Sequence, residues 1–361
     1  MTGDRLRVAL EYQAGVQAAA TGIGQYARRL RAALEASHPE IDLVAIVPPP
    51  RSAQKRWTTP RRLLWDQFGF PSGARRSESE IWHTTGFSPP RRGALRVHAL
   101  HDLIGLEHPG YVRGRFARWY WGRWLPRCVQ TCDHIIASSE YTARQARDRL
   151  AVPADRLTVV PLAPIERPKG ALTQRWPERF VLSLGSLEPR KDHALAIRAW
   201  RHLPRSLREE VRLVICGPDA GDGPRLESLV QELEMQGEVL FFGYCPDDEL
   251  GAALAACDVF VFPSRAEGFG LPPLEAMLAG APVIALEVSS IPEVAGKGAR
   301  LIREPVTPEA LADCLQEVLE SETVRQALRD AGRKWVARYS WERTAKETVK
   351  VWQRVSARGR S

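Results

Sequence analysis

The sequence lacks several features that would place it in other classes of protein. No stretch approaches the ~20 consecutive apolar residues of a membrane-spanning helix. The six cysteines are scattered without a CxxC pair, which argues against a structural zinc site and favours reduced thiols. The first residues, MTGDRLRVALEY, lack the apolar core of a signal peptide. We therefore expect a cytoplasmic protein.

Two motifs of nucleotide and metal sites are also absent from the sequence. A complete G-x-G-x-x-G with a downstream acid is missing, which argues against a dehydrogenase. No D-x-D occurs, so the sequence offers no obvious divalent-metal clamp for a diphosphate. We therefore expect no metal and no cofactor, and we expect protein groups to stabilise any phosphate charge.

The order of strands and helices indicates two α/β domains. With 361 residues the chain is too long for one ordinary core. Apolar strands alternate with amphipathic helices in both halves, which predicts parallel sheets flanked by helices. Pro161, Pro164 and Pro168 mark a linker, and Ser340 is the expected cap of a last helix. The predicted boundaries are residues 1–165, residues 166–340 and a terminal helix of residues 341–361.

Residues 51–80 are basic and weakly periodic. They predict a surface loop with one short helix around Arg61–Gln67.

The stretch Pro263–Pro282, PSRAEGFGLPPLEAMLAGAP, organises the second half of the chain. The apolar run Ala256–Phe262 before it predicts a strand. Two prolines after the glycines suit a first helical turn, and Gly280 suits a helix end. A strand, a glycine loop and a helix start direct backbone N–H groups and the helix dipole at one place, which predicts an anion site. The N–H groups expected there belong to Gly268, Phe269, Gly270 and Leu271.

Two carboxylates, Glu267 and Glu275, flank this predicted anion site. A carboxylate beside a phosphate site is useful when it accepts hydrogen bonds from sugar hydroxyls. We therefore predict that Glu267 binds one sugar and Glu275 another, which describes a nucleotide-sugar. Each of these residues, taken alone, could instead have a purely structural role. The negative charge of Glu275 would be stabilised by the positive end of the helix, and the glycines would form a turn.

The segment E-G-F-G-L-P-P-L-E resembles the E-x7-E motif of the family-4 retaining glycosyltransferases. The resemblance implies the GT-B fold, in which two Rossmann-like domains have parallel sheets facing across a cleft and a C-terminal helix crosses back to domain one. It also implies transfer of a hexose from a nucleotide-diphosphate sugar to a glycan or lipid-linked acceptor. The version EGFGLPPLEA resembles mannosyltransferases of cell-surface polysaccharide or glycolipid synthesis, which favours GDP-mannose. On this hypothesis Glu275 binds the ribose and Glu267 the transferred sugar. Glu267 is also a conceivable nucleophile, but we favour front-face attack.

A second segment of the C-terminal half supplies positive charge. The strand Phe180–Leu184 leads to Gly185 and then to Arg190 and Lys191, two cations suited to a diphosphate. The segment resembles the family's G-x-x-E-P-R-K, although Ser186 stands where some relatives have arginine. The resemblance also places Tyr244 against the nucleotide base.

The N-terminal half contributes two further candidate groups. Gly22, Ile23 and Gly24 precede a predicted helix, where they either bind a phosphate or form a turn. His101 and Asp102 follow a predicted strand, at the end where α/β sheets bind ligands. The resemblance places both groups at the reaction centre on the acceptor side, with His101 contacting a substrate and Asp102 orienting its ring. The predicted catalytic residues are His101, Glu267, Arg190 and Lys191.

Residues 111–127 interleave arginines with aromatic residues. Phe116, Tyr120 and Trp124 share one predicted helical face. The pattern fits an anionic membrane surface, and it equally fits a core helix with a solvated arginine side. The net charge of +8 agrees with an anionic partner, but no nucleic-acid motif accompanies it. Two alternative functions remain open, a GT-B sugar-nucleotide epimerase and a peripheral membrane-binding protein without transferase activity.

Overall fold

A computed structural model of the chain describes residues 5–17, 22–49, 58–168 and 170–359. These residues form two compact units. Unit 1 extends to Leu162 and includes the residues from Tyr339 onward, whereas unit 2 runs from Ala163 to Arg338. The last helix of the chain therefore belongs to the same unit as the first strand.

The described residues of unit 1 form a six-stranded parallel sheet with the spatial order β2-β1-β3-β4-β5-β6. Its four inner strands are mostly buried and its two edge strands only partly so, as expected of a parallel sheet that is covered on both faces. They are β1 (Leu6–Glu11), β2 (Ile41–Ile46), β3 (Ile81–Thr84), β4 (Leu95–Leu100), β5 (His134–Ala137) and β6 (Leu157–Val159).

Helices connect the strands of unit 1, and Ser139 caps the one that follows β5, because its hydroxyl accepts from the N–H of Thr142 at 3.0 Å. They are α1 (Gly22–Ser37), α2 (Thr59–Leu64), α3 (Phe70–Arg76), α4 (Ile104–Glu107), α5 (Arg115–Trp119), α6 (Leu125–Gln130) and α7 (Glu140–Leu150). A π-helical turn joins α2 to α3 and another joins α5 to α6.

The prediction for residues 51–80 was too short in its helical part. Residues 51–57 lie outside the described residues, but helix, π-turn and helix follow one another from Thr59 to Arg76. Trp65, Phe70 and Ala74 of this segment are buried beside β1 and β3. The basic residues between them obscured an apolar face whose spacing the π-turn also shifts.

The last helix, α16 (Trp341–Gly359), packs on unit 1. Ser340 caps it, since the N–H of Arg343 donates to the serine hydroxyl at 3.2 Å. Trp352 is fully buried, and its indole N–H donates to Nδ1 of His83 in β3 at 3.1 Å. The resulting contact joins residues 269 positions apart, so it couples the end of the chain to the centre of the first sheet.

The described residues of unit 2 form a second six-stranded parallel sheet, ordered β12-β11-β10-β7-β8-β9. Its strands are β7 (Phe180–Leu184), β8 (Arg212–Cys216), β9 (Val239–Gly243), β10 (Val259–Phe262), β11 (Val283–Leu286) and β12 (Arg300–Ile302).

The helices of unit 2 connect these strands. They are α8 (His193–His202), α9 (Arg205–Glu210), α10 (Gly223–Glu232), α11 (Asp247–Ala256), α12 (Leu271–Ala279), α13 (Ile291–Val294), α14 (Pro308–Glu320) and α15 (Glu322–Val336). Every helix in the described part of the chain is too short or too polar to pass through a bilayer.

Two details of unit 2 differ from the prediction. The strand expected from Ala256 begins only at Val259, because Ala256 ends α11 and the intervening residues turn the chain. The strand β12 was not predicted, because its three residues give too short a pattern to recognise.

The packing of α16 predicts a large loss of stability when its buried tryptophan is removed. Trp352→Ala should lower the free energy of unfolding of unit 1 by about 3–5 kcal/mol, since it leaves a cavity and removes the partner of His83. Gln353→Ala, at the exposed neighbouring position, is the matched control and should change stability by less than about 0.5 kcal/mol. Denaturant unfolding measures both, and an equal effect of the two substitutions would contradict this packing.

Candidate functional site

The order of strands in unit 2 locates the site. The chain starts in the centre of the sheet at β7, adds β8 and β9 on one side, and then returns to add β10 beside β7. In open α/β sheets, ligands bind outside the carboxyl ends of the strands at such a reversal. The segments at this place are residues 185–192, which we call the β7 loop, and residues 263–270, which we call the β10 loop.

The two loops are joined directly, although they are far apart in sequence. The N–H of Arg265 donates to the carbonyl of Arg190 at 2.8 Å, and the Arg190 guanidinium donates to the carbonyl of Ala266 at 3.0 Å. The Arg265 side chain also pairs with Asp192 at 2.8 Å. These contacts run in both directions between the loops and fix one loop against the other.

A buried carboxylate, Glu267, lies at the centre of this junction. Its Oε1 atom is 2.5 Å from Nζ of Lys191, 2.6 Å from the hydroxyl of Ser264 and 3.2 Å from Nη1 of Arg190. Both Glu267 and Lys191 are only 8% exposed. Removing such charges from water is costly unless they are paired. Lys191 and Arg190 therefore stabilise the charge of the carboxylate, and the carboxylate in turn fixes the positions of both cations.

The protonation of this group follows from its surroundings. Burial alone would raise the pKa of Glu267, but the charges of Lys191 and Arg190 and the hydrogen bonds from Lys191 and Ser264 overcome that effect. The pKa of the carboxyl is held below its ordinary value. Glu267 is thus ionised at neutral pH.

Arg190 and Lys191 do not lie in the first turn of α8. They lie in a separate short turn, Pro189–Lys191, and Asp192 then caps α8 by accepting from the N–H of Leu195 at 3.2 Å. Two cations in the first turn of a helix would be repelled by its positive end. Because Arg190 and Lys191 lie in a separate turn before α8, this repulsion is reduced. The structure adds Glu188, which pairs with Arg190 at 2.8 Å.

Ser186, where some relatives have arginine, takes part in the same arrangement. Its hydroxyl donates to Oε1 of Glu188 at 2.9 Å, and Glu188 pairs with Arg190. Ser186 thus acts on the cationic pair through Glu188.

The predicted glycine loop and helix start are present before α12. Gly268, Phe269 and Gly270 are buried in the β10 loop, and the helix begins at Leu271. Gly270 has φ 92°, and a Cβ there would lie 2.5 Å from the side chain of Ile291. Both the conformation and the space therefore require glycine. The nine-residue helix directs its positive end at this place.

Two serines that were not predicted as site residues, Ser289 and Ser290, hold the β10 loop from the other side. The Ser290 hydroxyl lies 2.9 Å from the carbonyl oxygens of both Glu267 and Phe269. The N–H of Glu267 donates to the hydroxyl of Ser289 at 3.0 Å. Serines near a helix start are common in turns, so their identity alone does not reveal this role.

A buried histidine supports the β7 loop. His193 lies 3.0 Å from the hydroxyl of Ser183 and 3.2 Å from the carbonyl of Gly185. Burial lowers the pKa of His193 to about 4, so the ring is neutral at pH 7. It positions Gly185 without adding charge to the site.

The second predicted carboxylate, Glu275, lies in α12 and is 4% exposed. Arg167 binds it through Nη2 at 2.8 Å and Nε at 3.2 Å, both to Oε2. Arg167 lies in the predicted linker marked by prolines and was not among the predicted site residues.

Tyr244 follows β9 and is 69% exposed. Its strand ends beside the β7 loop, because the N–H of Gly217 donates to the carbonyl of Gly243 at 2.8 Å and the N–H of Gly185 donates to that of Cys216 at 2.9 Å. An aromatic side chain exposed at this edge of the sheet is available to stack on a planar ring.

Unit 1 contains the predicted acceptor-side groups at the carboxyl end of its own sheet. His101 follows β4, and its Nε2 lies 3.0 Å from the carbonyl of Thr85. A carbonyl only accepts, so Nε2 carries the proton and Nδ1 is the acceptor of the ring. Burial lowers the pKa of His101 to about 4, partly offset by the Thr85 bond, so His101 is neutral at pH 7.

The prediction for the partner of His101 needs correction. Asp102 was expected to orient the ring, but its Oδ1 accepts from the N–H of Ile104 at 3.1 Å and so begins α4. The carbonyl of Thr85 instead orients the ring. Tyr26 adds an edge-on ring contact to His101, with the centroids 4.7 Å apart.

The predicted Gly22–Gly24 loop is the first turn of α1 rather than a loop before it. Gly22 is exposed, Ile23 is half-buried and Gly24 is buried. The N–H groups of these residues therefore belong to a helix start, the arrangement that suits an anion. Thr21 lies outside the described residues.

The arginine-rich and aromatic segment around α5 and α6 has both a buried and an exposed side. Tyr120 is 1% exposed and stacks on Phe87 with the ring centroids 4.0 Å apart. Phe116 and Trp119 remain 43% and 39% exposed. Of the predicted common face, Tyr120 is buried and Trp124 packs against the same core, whereas Phe116 is exposed.

Comparisons with known proteins agree with this architecture. Residues 167–335 match the family model described as glycosyl transferases group 1, and residues 20–163 match the model of glycosyltransferase family 4. The chain is 28% identical over 304 residues to the O-antigen chain mannosyltransferase B of Escherichia coli, a match that covers 81% of this chain and 77% of that one.

Solved structures share the fold. A sucrose-phosphate synthase from Thermosynechococcus elongatus aligns with a TM-score of 0.75 at 20% identity, covering 98% of this chain and all of the other. WaaG, a glycosyltransferase involved in lipopolysaccharide biosynthesis, aligns with a TM-score of 0.70 at 17% identity, covering 95% and 99% of the two chains. Together with the two family models, these similarities confirm the predicted GT-B fold. The chain belongs to the family-4 glycosyltransferases.

Proposed function

We propose that the protein transfers mannose from GDP-mannose to a glycan or lipid-linked acceptor, with retention of anomeric configuration, in the synthesis of a cell-surface polysaccharide or glycolipid. The observation that carries the proposal is the buried Glu267 cluster, which assembles two cations and a helix start at the reversal point of the unit 2 sheet. The similarity to an O-antigen chain mannosyltransferase supports the choice of mannose and of a polysaccharide product.

In this proposal Arg190, Lys191 and the start of α12 stabilise the leaving diphosphate. Glu188 and Glu267 hold the two cations in place before a donor arrives. Preorganised charge of this kind is usually the largest catalytic effect, and losing one donor of a comparable oxyanion site costs ~3–4 kcal/mol. The expectation that no metal or cofactor takes part rests on these groups and on the absence of D-x-D from the sequence.

Glu267 would bind the transferred sugar rather than attack it. Its Oε1 already contacts the cationic groups of Lys191 and Arg190 and accepts a hydrogen bond from Ser264. A sugar hydroxyl would therefore donate to Oε2. Two cations stabilise the carboxylate and so make it a weaker nucleophile. We therefore favour front-face displacement, in which the acceptor hydroxyl attacks on the side that the diphosphate leaves.

The other predicted contacts of the donor complete the nucleotide site. Glu275 would accept from the ribose hydroxyls, and the exposed ring of Tyr244 would lie against the base. On the acceptor side we propose that neutral His101 accepts a hydrogen bond from a substrate hydroxyl at Nδ1, and that the first turn of α1 binds an anionic group. No step requires His101 to take a full positive charge.

The exposed side of the α5–α6 segment favours a membrane-associated acceptor. Trp119 and Phe116 are exposed next to Arg115 and Arg118, which are exposed as well. Aromatic and arginine side chains together suit the headgroup region of an anionic bilayer. We therefore propose that the protein works in the cytoplasm, bound to the inner face of the membrane through this surface. An epimerase would not need such a surface.

A transfer assay tests the proposed reaction. GDP-mannose should donate its sugar to a lipid-linked acceptor at the same rate with and without EDTA, because protein cations stabilise the diphosphate. UDP-glucose and UDP-N-acetylglucosamine are the control donors, and NMR of the product should show the α-anomer. Loss of transfer in EDTA would contradict metal independence, and a β-linked product would contradict retention.

Flotation with vesicles tests the membrane surface. Trp119→Ser should reduce binding to vesicles with anionic lipid at least about threefold and lower the melting temperature less than Trp121→Ser does, because the Trp119 side chain is 39% exposed. Trp121→Ser is the matched control. Its indole lies against Gly105, so this change should lower the melting temperature. Unaltered flotation of the Trp119 variant would show that the segment serves only the core.

A further inference from the structure

Arg167 binds two carboxylates and has no role in the function proposed above. Its guanidinium binds Oε2 of Glu275 through two nitrogen atoms, at 2.8 and 3.2 Å, and its third nitrogen lies 2.5 Å from Asp247. The three residues come from three separate parts of unit 2, namely the segment after the unit boundary, α12 and the start of α11.

The two carboxylates differ in how much they need this arginine. The Glu275 side chain is only 3% exposed, whereas that of Asp247 is 53% exposed. A buried carboxylate that loses its cation is strongly destabilised, but an exposed one remains solvated. Arg167 therefore acts chiefly on Glu275, and the contact with Asp247 holds the far side of the guanidinium.

The backbone around Arg167 is itself fixed. A Cβ on Gly251 of α11 would lie 2.3 Å from the carbonyl of Pro168 and 3.1 Å from Cβ of Arg167. The segment thus lies directly on α11, and only glycine permits this approach. A guanidinium held at its backbone and at its far end can impose one direction on the carboxylate that it binds.

We propose that Arg167 is a positioning residue for the donor nucleotide, which it serves by orienting Glu275 toward the ribose hydroxyls. The inference rests on the proposed function, in which Glu275 binds that ribose. It adds a consequence for specificity, because a carboxylate aimed at the ribose distinguishes a ribonucleotide from a 2′-deoxyribonucleotide. Without Arg167 the carboxylate loses its fixed direction, and this distinction should disappear.

Titration calorimetry with the full chain tests the proposal. The probes are GDP and 2′-deoxy-GDP, or UDP and 2′-deoxy-UDP if the transfer assay identifies a uridine donor. The wild-type protein should bind the ribonucleotide about tenfold more tightly than the deoxyribonucleotide. Glu275→Gln and Arg167→Gln should each reduce this ratio to about one, and the double variant should behave as either single variant does.

Two further variants separate positioning from folding. Arg167→Lys keeps the charge but not the two-nitrogen contact, so the ratio should fall between those of the wild type and Arg167→Gln. Arg179→Gln is the matched control. Arg179 also pairs with two carboxylates, Glu210 and Asp258, but it lies just before the amino end of β7. This change should leave both affinities and their ratio unaltered.

The outcomes distinguish the two claims. If Arg167→Gln weakens both nucleotides equally while Glu275→Gln removes the ratio, the positioning role of Arg167 is overturned and the ribose role of Glu275 stands. If Glu275→Gln preserves the ratio, the ribose role itself fails and the inference about Arg167 fails with it. A ratio removed by both changes and kept in Arg179→Gln supports the inference.

Discussion

The buried carboxylate of Glu267 is the constraint on which the site in unit 2 depends. It joins the β10 loop to two cations of the β7 loop, of which Lys191 lies 76 residues away in sequence. Removing one partner of such a buried pair typically costs 3–5 kcal/mol, because the other charge is left uncompensated. The cluster therefore fixes the shape of both loops, and the same groups that fix the shape carry the charge that a leaving diphosphate needs.

Charge is handled differently in the two units. Unit 2 concentrates paired ions at the ends of β7 and β10, supported by the neutral ring of His193. Unit 1 instead has neutral histidines at its sheet, among them the buried His83 and the half-buried His101, whose pKa values are lowered by loss of solvation to about 3 and about 4. An uncharged acceptor of hydrogen bonds suits a sugar hydroxyl, whereas fixed positive charge suits a diphosphate. This division agrees with a donor side in unit 2 and an acceptor side in unit 1.

The sequence was sufficient where the determinants are local. The strand Phe180–Leu184, the start of α12 after Gly270 and its end at Gly280 were all predicted from neighbouring residues. The sequence was not sufficient to predict contacts that depend on the order of strands in the sheet. The bond from Lys191 to Glu267 requires β7 and β10 to be neighbours, and the bond from Arg167 to Glu275 spans 108 residues. The two π-turns were not predicted for another reason, because they change the helical period on which the prediction of helices relies.

A crystal structure of the complex with GDP would show whether the Glu267 cluster and the start of α12 form the donor diphosphate site, as we propose. We expect diphosphate oxygens within hydrogen-bonding distance of Arg190, Lys191 and the backbone N–H groups at the start of α12, with the ribose hydroxyls on Glu275. A nucleotide bound elsewhere on unit 2, with the bonds between Lys191 and Glu267 untouched and no phosphate near the β10 loop, would contradict this proposal.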